Sequence, residues 1–368
     1  MIKRIYIDNF RCFSNFEFKP DRINLLLGLN GSGKSSFMEV FDRVLGLILE
    51  GQQVENIFSE EDLTRWDSRD QQRFECDLEI AEKTFIYTLV LEKISARMVV
   101  HSERVTRGEA TLFEYKAGEV FLHRNDGTLG THFALRGTAS FLHQIENRPE
   151  NTDLMAFLDA LRKVRSYKLD PTRIDALSSG EEERLAKNGS NFASWYRHIS
   201  QEEAGAIPQF FEDLKEIISG FEALALRGAG KQGRVRDLLV QMHAARGDAY
   251  EVDFDAISDG QRALILLYAL LIDIAATPRF VFLDEPENYI GLTELQPWLQ
   301  RLDDALGDEG QLFFISHHPE VIDHLASETP ILFERSDGGP VRVRQAEFDR
   351  ESGLRASEQI SMGILDVE

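Results

Sequence analysis

The chain of 368 residues carries 63 acidic against 41 basic side chains, a formal net charge of -22, with 43% hydrophobic and 10% aromatic residues. That much apolar material supports a sizeable core and excludes wholesale disorder, and the length suits two or three domains or one large one with insertions. Two cysteines, Cys12 and Cys76, exclude a disulfide scaffold and a cysteine-built metal site, and the acidic balance argues against a basic nucleic-acid-binding coat while leaving room for a local positive groove.

Residues 2–7 and 13–18 read as strands, and 22–27 as a mostly apolar strand ending at Gly28. From Ser35 the period changes, because Phe37, Val40, Phe41, Val44, Leu45 and Ile48 fall on one helical face. Residues 73–80 and 84–91 predict consecutive strands with Glu82-Lys83 at the turn; 97–100, 111–115 and 119–123 extend an antiparallel meander. From about 136 to 246 the pattern is mainly helical, with apolar stripes at Leu154, Phe157, Leu158, Leu161 and at Phe210, Phe211, Leu214, Ile217, Ile218. No heptad repeat persists long enough for a long coiled coil. Helix 260–275, strand 279–283, helix 292–306, strand 311–315 and helix 319–326 then alternate, and strands 330–334 and 341–344 flank the turn Asp337-Gly338-Gly339.

This order predicts an α/β nucleotide-binding core made from both ends of the chain. Its expected segments are 1–90 with the phosphate loop, an inserted region 91–250 with strands followed mainly by helices, 251–335 returning to the core, and a hairpin and tail at 336–368. The N-terminus lacks the apolar core of a signal peptide. The longest apolar run, Ala263 to Ile272, is too short to span a bilayer, so a cytoplasmic protein without a membrane partner is expected.

Gly28-Leu29-Asn30-Gly31-Ser32-Gly33-Lys34-Ser35 matches the glycine-rich phosphate loop in full. The nucleotide-binding residues are expected to be Asn30, Gly31, Ser32, Gly33, Lys34, Ser35 and Ser36. Backbone N–H groups would face the phosphates, Lys34 would reach the β- and γ-phosphates, and Ser35 would ligate Mg²⁺. In Phe280–Glu285 a buried strand ends in two carboxylates. Asp284 is placed to hold the Mg²⁺ hydration shell and Glu285 to polarise a water for attack. Ser258 or Asp259 can cap the most apolar helix, and Gly260 lets an anion approach it. Ser316-His317-His318-Pro319 follows an apolar strand; a histidine there could donate to a phosphate, and the scattered remaining histidines offer no zinc pattern.

Together these residues resemble the ABC-type ATPase heads of the RecF and structural-maintenance-of-chromosomes class, most closely the short bacterial AAA-family, OLD-like and RecF-like ATPases. The resemblance rests on IKRIYIDNFRCFSNFEF, GLNGSGKS, ISDGQR, FVFLDEPEN and FFISHHP, in that order. It is thin in the middle of the chain, where only KLDP (168–171) and NGSNFASWYRHI (188–199) resemble a connector of these ATPases. It implies a P-loop fold with an ABC-ATPase-like head, and Mg²⁺-dependent hydrolysis of ATP sandwiched between two copies. Ser258, Asp259, Gly260 and Gln261 would then act in trans on the nucleotide held by the partner's Lys34, with Glu285 the general base and His317 the γ-phosphate sensor. Arg262 is a candidate cross-subunit contact.

Where many relatives have a Leu-His-Pro-like turn, this chain has Asn288 to Leu292, and the Mg²⁺-sensing glutamine has three candidates, Gln71, Gln72 and Gln144. The family's long arm and a TOPRIM-like nuclease module are not expected. The resemblance implies self-association into a dimer or higher oligomer, and the missing nuclease favours a separate effector within a prokaryotic antiviral defence system. The alternative is a RecF-like DNA-repair ATPase, in which DNA would be held by Arg173, Lys187, Arg227, Lys231, Arg234 and Arg236.

Overall fold

The computed structural model describes residues 1–95, 97–229, 234–244, 247–276, 280–326, 330–349 and 351–362. Lys231 of the candidate basic group and Arg279 at the expected strand start lie outside the described residues.

The chain begins β1 (Ile2–Asp8), β2 (Phe16–Phe18), β3 (Ile23–Leu27), α1 (Lys34–Leu49), α2 (Val54–Ile57), β4 (Gln71–Ile80), β5 (Lys83–Ile94) and β6 (Arg97–Arg107). It continues with β7 (Ala110–Lys116), β8 (Glu119–His123), β9 (Leu129–Ala134), α3 (Thr152–Arg162), β10 (Val164–Tyr167), β11 (Leu177–Ser178), α4 (Phe192–Glu202) and α5 (Ile207–Ile217). Then come β12 (Phe221–Ala229), β13 (Val235–His243), β14 (Ala249–Asp253), α6 (Asp259–Ala276), β15 (Phe280–Asp284) and α7 (Leu292–Leu306). The last are β16 (Gln311–Ile315), α8 (Pro319–Leu325), β17 (Ile331–Glu334), β18 (Arg342–Gln345) and α9 (Ala356–Ser361). Two compact units result: Met1–Val164 with Glu328–Phe348, and Arg165–Ser327 with Asp349–Glu368.

In the first unit the expected meander is an eight-stranded sheet in the order β2-β1-β4-β5-β6-β7-β8-β9, antiparallel throughout. Its β5 runs across residue 90, where the first segment was expected to end. The β4–β5 turn falls on Ala81-Glu82, one residue before the expected place; both residues have positive φ, as a two-residue hairpin turn matched to strand twist requires. Helix α3 lays the predicted stripe of Leu154, Phe157, Leu158 and Leu161 inward, and Phe157 stacks on Phe85 and Tyr87. In the same unit β3 pairs parallel with β17, which pairs antiparallel with β18.

Glu103 is buried in this sheet, accepting hydrogen bonds from Tyr87 Oη and Ser140 Oγ at 2.9 Å each. Burial pushes its carboxyl up to about 7, against the opposing pull of the two hydroxyls. An acid raised in the folded state binds a proton there that the unfolded chain has already released. Its stabilisation is complete below about pH 4.5 and is lost as pH rises through about 7. Unfolding free energies from urea titrations should therefore fall from pH 5 to pH 8 by more in the wild type than in Glu103→Gln, a difference on the order of 1–3 kcal/mol. Parallel pH profiles would contradict this account of Glu103.

In the second unit β15 and β16 pair in parallel, and β10 lies beside β15. All five residues of β15 and of β16 are buried, as expected for strands covered on both faces. Helix α6 continues through Asp273 to Ala276, beyond the apolar run. The buried Asp273 is tolerated because it accepts from Tyr167 Oη at 2.9 Å and Arg165 Nε at 3.1 Å. Trp298 on α7, fully buried, donates its indole N–H to the Leu267 carbonyl of α6 at 3.0 Å.

Strands β12 and β13 differ from the helical expectation for about 136 to 246. Strands β11, β12, β13 and β14 form an antiparallel sheet in which Leu238 and Val240 alternate inward along β13 and meet Leu226 and Leu224 of β12. A period-2 pattern this short is masked in sequence by apolar neighbours such as Leu239, which also suit a helix. Among the described residues the longest helix is α6, at 18 residues, and no helix is long and apolar enough to cross a membrane.

Candidate functional site

The phosphate loop lies in the first unit. Fully buried β3 delivers the chain to Gly28, whose φ of +139° and tight surroundings exclude a side chain. A Cβ there would sit 2.3 Å from the Phe333 carbonyl oxygen. Gly33, at φ +103°, ends the loop as the N-cap of α1, against Val341, Cys12 and Phe13. The N-terminus of α1 has no side-chain cap and no acid in its first turn, so its N–H groups and positive end remain available to an anion. Lys34 is buried and curls back over the loop. Its ammonium donates to the carbonyls of Gly28 at 2.6 Å and Leu29 at 3.1 Å, and lies 3.5 Å from Ser32 Oγ. Asn30, Gly31 and Ser35 are exposed, Ser36 is half-buried and Ser32 is buried. The helix is anchored by Phe37, whose ring meets those of Phe16, Phe18, Phe41 and Phe333 at centroid distances of 5.6–6.1 Å.

The expected carboxylates lie in the second unit. Asp284, the last residue of β15, is only 5% exposed; Lys168 Nζ donates to its Oδ2 at 2.8 Å, while Oδ1 is buried without a hydrogen-bond partner. Glu285 has φ +49°, a left-handed conformation uncommon outside glycine and asparagine, and its N–H is held by the Ile315 carbonyl at 2.9 Å. This turn lifts its carboxylate out of the sheet edge, where Asn288 Nδ2 donates to it at 3.1 Å and His317 Nε2 lies 3.7 Å away.

Beneath them, buried Glu287 accepts from Ser316 Oγ, which itself accepts from the His318 backbone N–H at 2.9 Å. Burial raises the Glu287 carboxyl to about 7, and the charges of Glu285 and Asp284 add to the rise. The hydrogen bond to Asp284 raises Lys168. His318 is thus tied into the turn by its backbone, and His317 is the histidine that faces Glu285.

Residues 258–261, expected to form the signature element, open α6. Ser258 Oγ accepts from the Gln261 N–H at 3.3 Å, and Gln261 Oε1 accepts from the Ser258 N–H at 3.1 Å and its hydroxyl at 3.2 Å. This reciprocal capping box makes Ser258, not Asp259, the cap. Gly260 is confined by the Tyr289 carbonyl, 3.1 Å from where a Cβ would stand. Arg262 is not presented outward. Its guanidinium donates to the carbonyls of Phe254 and Asp255 and pairs with Asp259. Of the three glutamines, Gln72 is buried and donates to the carbonyls of Asn9 and Asp62, Gln71 pairs with Glu92, and Gln144 contacts His143.

Sequence reasoning missed Lys168, Glu287 and Ser316 as members of this cluster. KLDP and 188–199 were singled out, and they do meet: the N–H groups of Lys168 and Asp170 donate to the carbonyls of Lys187 and Asn188. That contact fixes the point from which Lys168 reaches Asp284. The residues suit a nucleotide with Mg²⁺: an uncapped helix N-terminus for phosphate, and a buried acid with one unpartnered oxygen for a metal's water shell. Among the described residues no group of three or more His, Cys, Asp or Glu side chains could hold a metal ion.

Residues 1–85 match the family model described as "AAA ATPase domain", and residues 135–323 match that described as "AAA domain, putative AbiEii toxin, Type IV TA system". No curated protein sequence matches the chain. Among solved structures, the chain is similar to an SMC head bound to the C-winged helix domain of ScpA, with a TM-score of 0.58 and 14% identity over 96% of this chain and 99% of that one. It is also similar to an Smc head domain with an extended coiled coil bound to the C-terminal domain of ScpA derived from Pyrococcus furiosus, with a TM-score of 0.53 and 13% identity over 99% and 98%. The fold is therefore that of an ABC/SMC-type P-loop ATPase head, here without a long coiled coil among the described residues. With the second family model covering just over half of its residues, the chain belongs to the AAA-domain ATPase family of the AbiEii, Type IV TA description.

Proposed function

We propose that this chain is the ATP-binding and ATP-hydrolysing subunit of a head-to-head pair, and that it acts as the regulatory ATPase of a prokaryotic antiviral defence complex with a separate effector. The observation that carries the hydrolytic part is the β15 terminus: a buried Asp284 with an unpartnered oxygen, followed by Glu285 turned outward beside His317.

In this reading residues Asn30 to Ser36 cradle the phosphates, and Lys34 exchanges its loop carbonyls for β- and γ-phosphate oxygens. Ser35 and Asp284 would hold Mg²⁺, which when bound would supply charge neutralisation at the phosphates. Glu285 orients the attacking water and accepts its proton, and His317 donates a hydrogen bond to the γ-phosphate. Ser258, Asp259, Gly260 and Gln261 serve the partner copy's nucleotide. Ser258 Oγ gives up its bond to Gln261 for a phosphate oxygen, which leaves the α6 N-terminus facing an anion.

The family description names a toxin and a TA system, and the solved relatives are SMC heads bound to domains of ScpA. Both support a separate protein partner, and the net charge of -22 suits a basic one. The DNA-end alternative draws no support from Arg173 and Arg227, which are ion-paired to Asp170 and Glu251.

The test is turnover. The purified protein should release phosphate from ATP only with Mg²⁺, Lys34→Ala should abolish nucleotide binding and turnover together, and the ATP-trapped protein should retain its partner in a pull-down. Phosphate release unchanged in Lys34→Ala would end the ATPase reading.

A further inference from the structure

Asp284 brings a buried negative charge to the end of β15, and such a charge needs compensation. Compensation comes from another strand's end: Lys168 directly follows β10, the neighbour of β15, and its ammonium takes one carboxylate oxygen at 2.8 Å. The other oxygen has no partner. The pair is therefore held at one point, and a cation that reaches the open oxygen competes with the ammonium for the same carboxylate charge. The two partners also differ in exposure. The Asp284 side chain is 5% exposed, whereas that of Lys168 is 56% exposed on a backbone whose N–H is held by the Lys187 carbonyl. An ammonium on a flexible, solvated stem can leave at little cost.

We propose that Lys168 is a built-in counter-cation of Asp284, and that a divalent metal must displace it from the carboxylate; the proposal rests on the nucleotide-site reading above. Two cations competing for one carboxylate repel each other, so Lys168 sets the metal affinity of the site and keeps Asp284 paired until nucleotide brings the metal. No hydrolytic role for the amine is implied.

The test uses the full chain, Mn²⁺ with AMP-PNP, and electron paramagnetic resonance to count bound metal. Lys168→Met should bind Mn²⁺ on the order of tenfold more tightly than wild type at low salt, and Lys168→Arg, which keeps the charge, should bind no more tightly than wild type. Affinity for AMP-PNP in excess EDTA should be the same in all three. Equal or weaker Mn²⁺ binding by Lys168→Met overturns the proposal. So does a loss of metal-free AMP-PNP binding in that variant, which would make Lys168 a phosphate ligand.

A second measurement needs no variant. Amine-directed labelling of wild type, read by mass spectrometry, should increase at Lys168 when Mn²⁺ and AMP-PNP are added; unchanged or reduced labelling overturns the proposal. Wild type that binds no AMP-PNP under any condition would instead overturn the nucleotide-site reading, and this proposal with it. Nucleotide binding with Lys168-independent metal affinity removes the counter-cation alone.

Discussion

Glu285→Gln should keep its nucleotide and lose turnover by on the order of 10²–10⁴-fold, the range expected for removing a positioned general base. The substitution is nearly isosteric. The amide can still accept from Asn288 Nδ2 and can sit opposite His317, so the turn at φ +49° has no reason to change. What it loses is the capacity to take a proton from water. With hydrolysis blocked, the two-copy state should accumulate when ATP and Mg²⁺ are present, and light scattering coupled to size-exclusion chromatography would show twice the monomer mass. Lys34→Ala should not reach that state, because the phosphate loop would have lost its cation. A Glu285→Gln protein that hydrolyses ATP at the wild-type rate would remove Glu285 from the reaction; one that stays monomeric with bound ATP would leave hydrolysis intact as a reading and remove the sandwich.

The largest effect on stability is expected from Phe37→Ala. Phe37 is fully buried on the inner face of α1, one turn from the phosphate loop, within a cluster that joins β2, α1 and β17 through Phe16, Phe18, Phe41 and Phe333. Truncation removes ring contacts on several sides and leaves a cavity whose rigid aromatic walls cannot collapse readily, for a loss of about 3–5 kcal/mol in urea unfolding. Nucleotide affinity should fall as well, because the same packing holds the α1 N-terminus against the loop. Phe41→Ala, on a less buried neighbour, should cost less. Equal losses at the two positions would mean that the cluster does not centre on Phe37.

Much of this was readable in the chain. Strand, glycine loop and helix around Gly28–Ser35 are legible because a phosphate loop constrains residue type at nearly every position: glycine for φ, lysine for charge, a hydroxyl for the metal. The alternation after residue 259 is equally clear, and α7 and β16 fall on the expected residues, since their apolar periods are long and cleanly bounded. Leu224, Leu238 and Val240 were harder, because whether an apolar residue belongs to a strand or a helix there depends on which neighbour covers it.

The sequence by itself determined the phosphate-loop motif, the order of the motifs and the α/β class, because these depend on local geometry and on periodicity along one element. Tertiary structure alone decided which side chains share the end of β15. Lys168 and Asp284 are 116 residues apart, and Glu287 and Ser316 are 29 apart. Neither pair has a spacing that marks it, since which strands lie side by side follows from packing over the whole unit. The same is true of the unpartnered Asp284 oxygen: a sequence can supply a carboxylate, but burial and the position of one lysine determine which of its oxygens finds a partner.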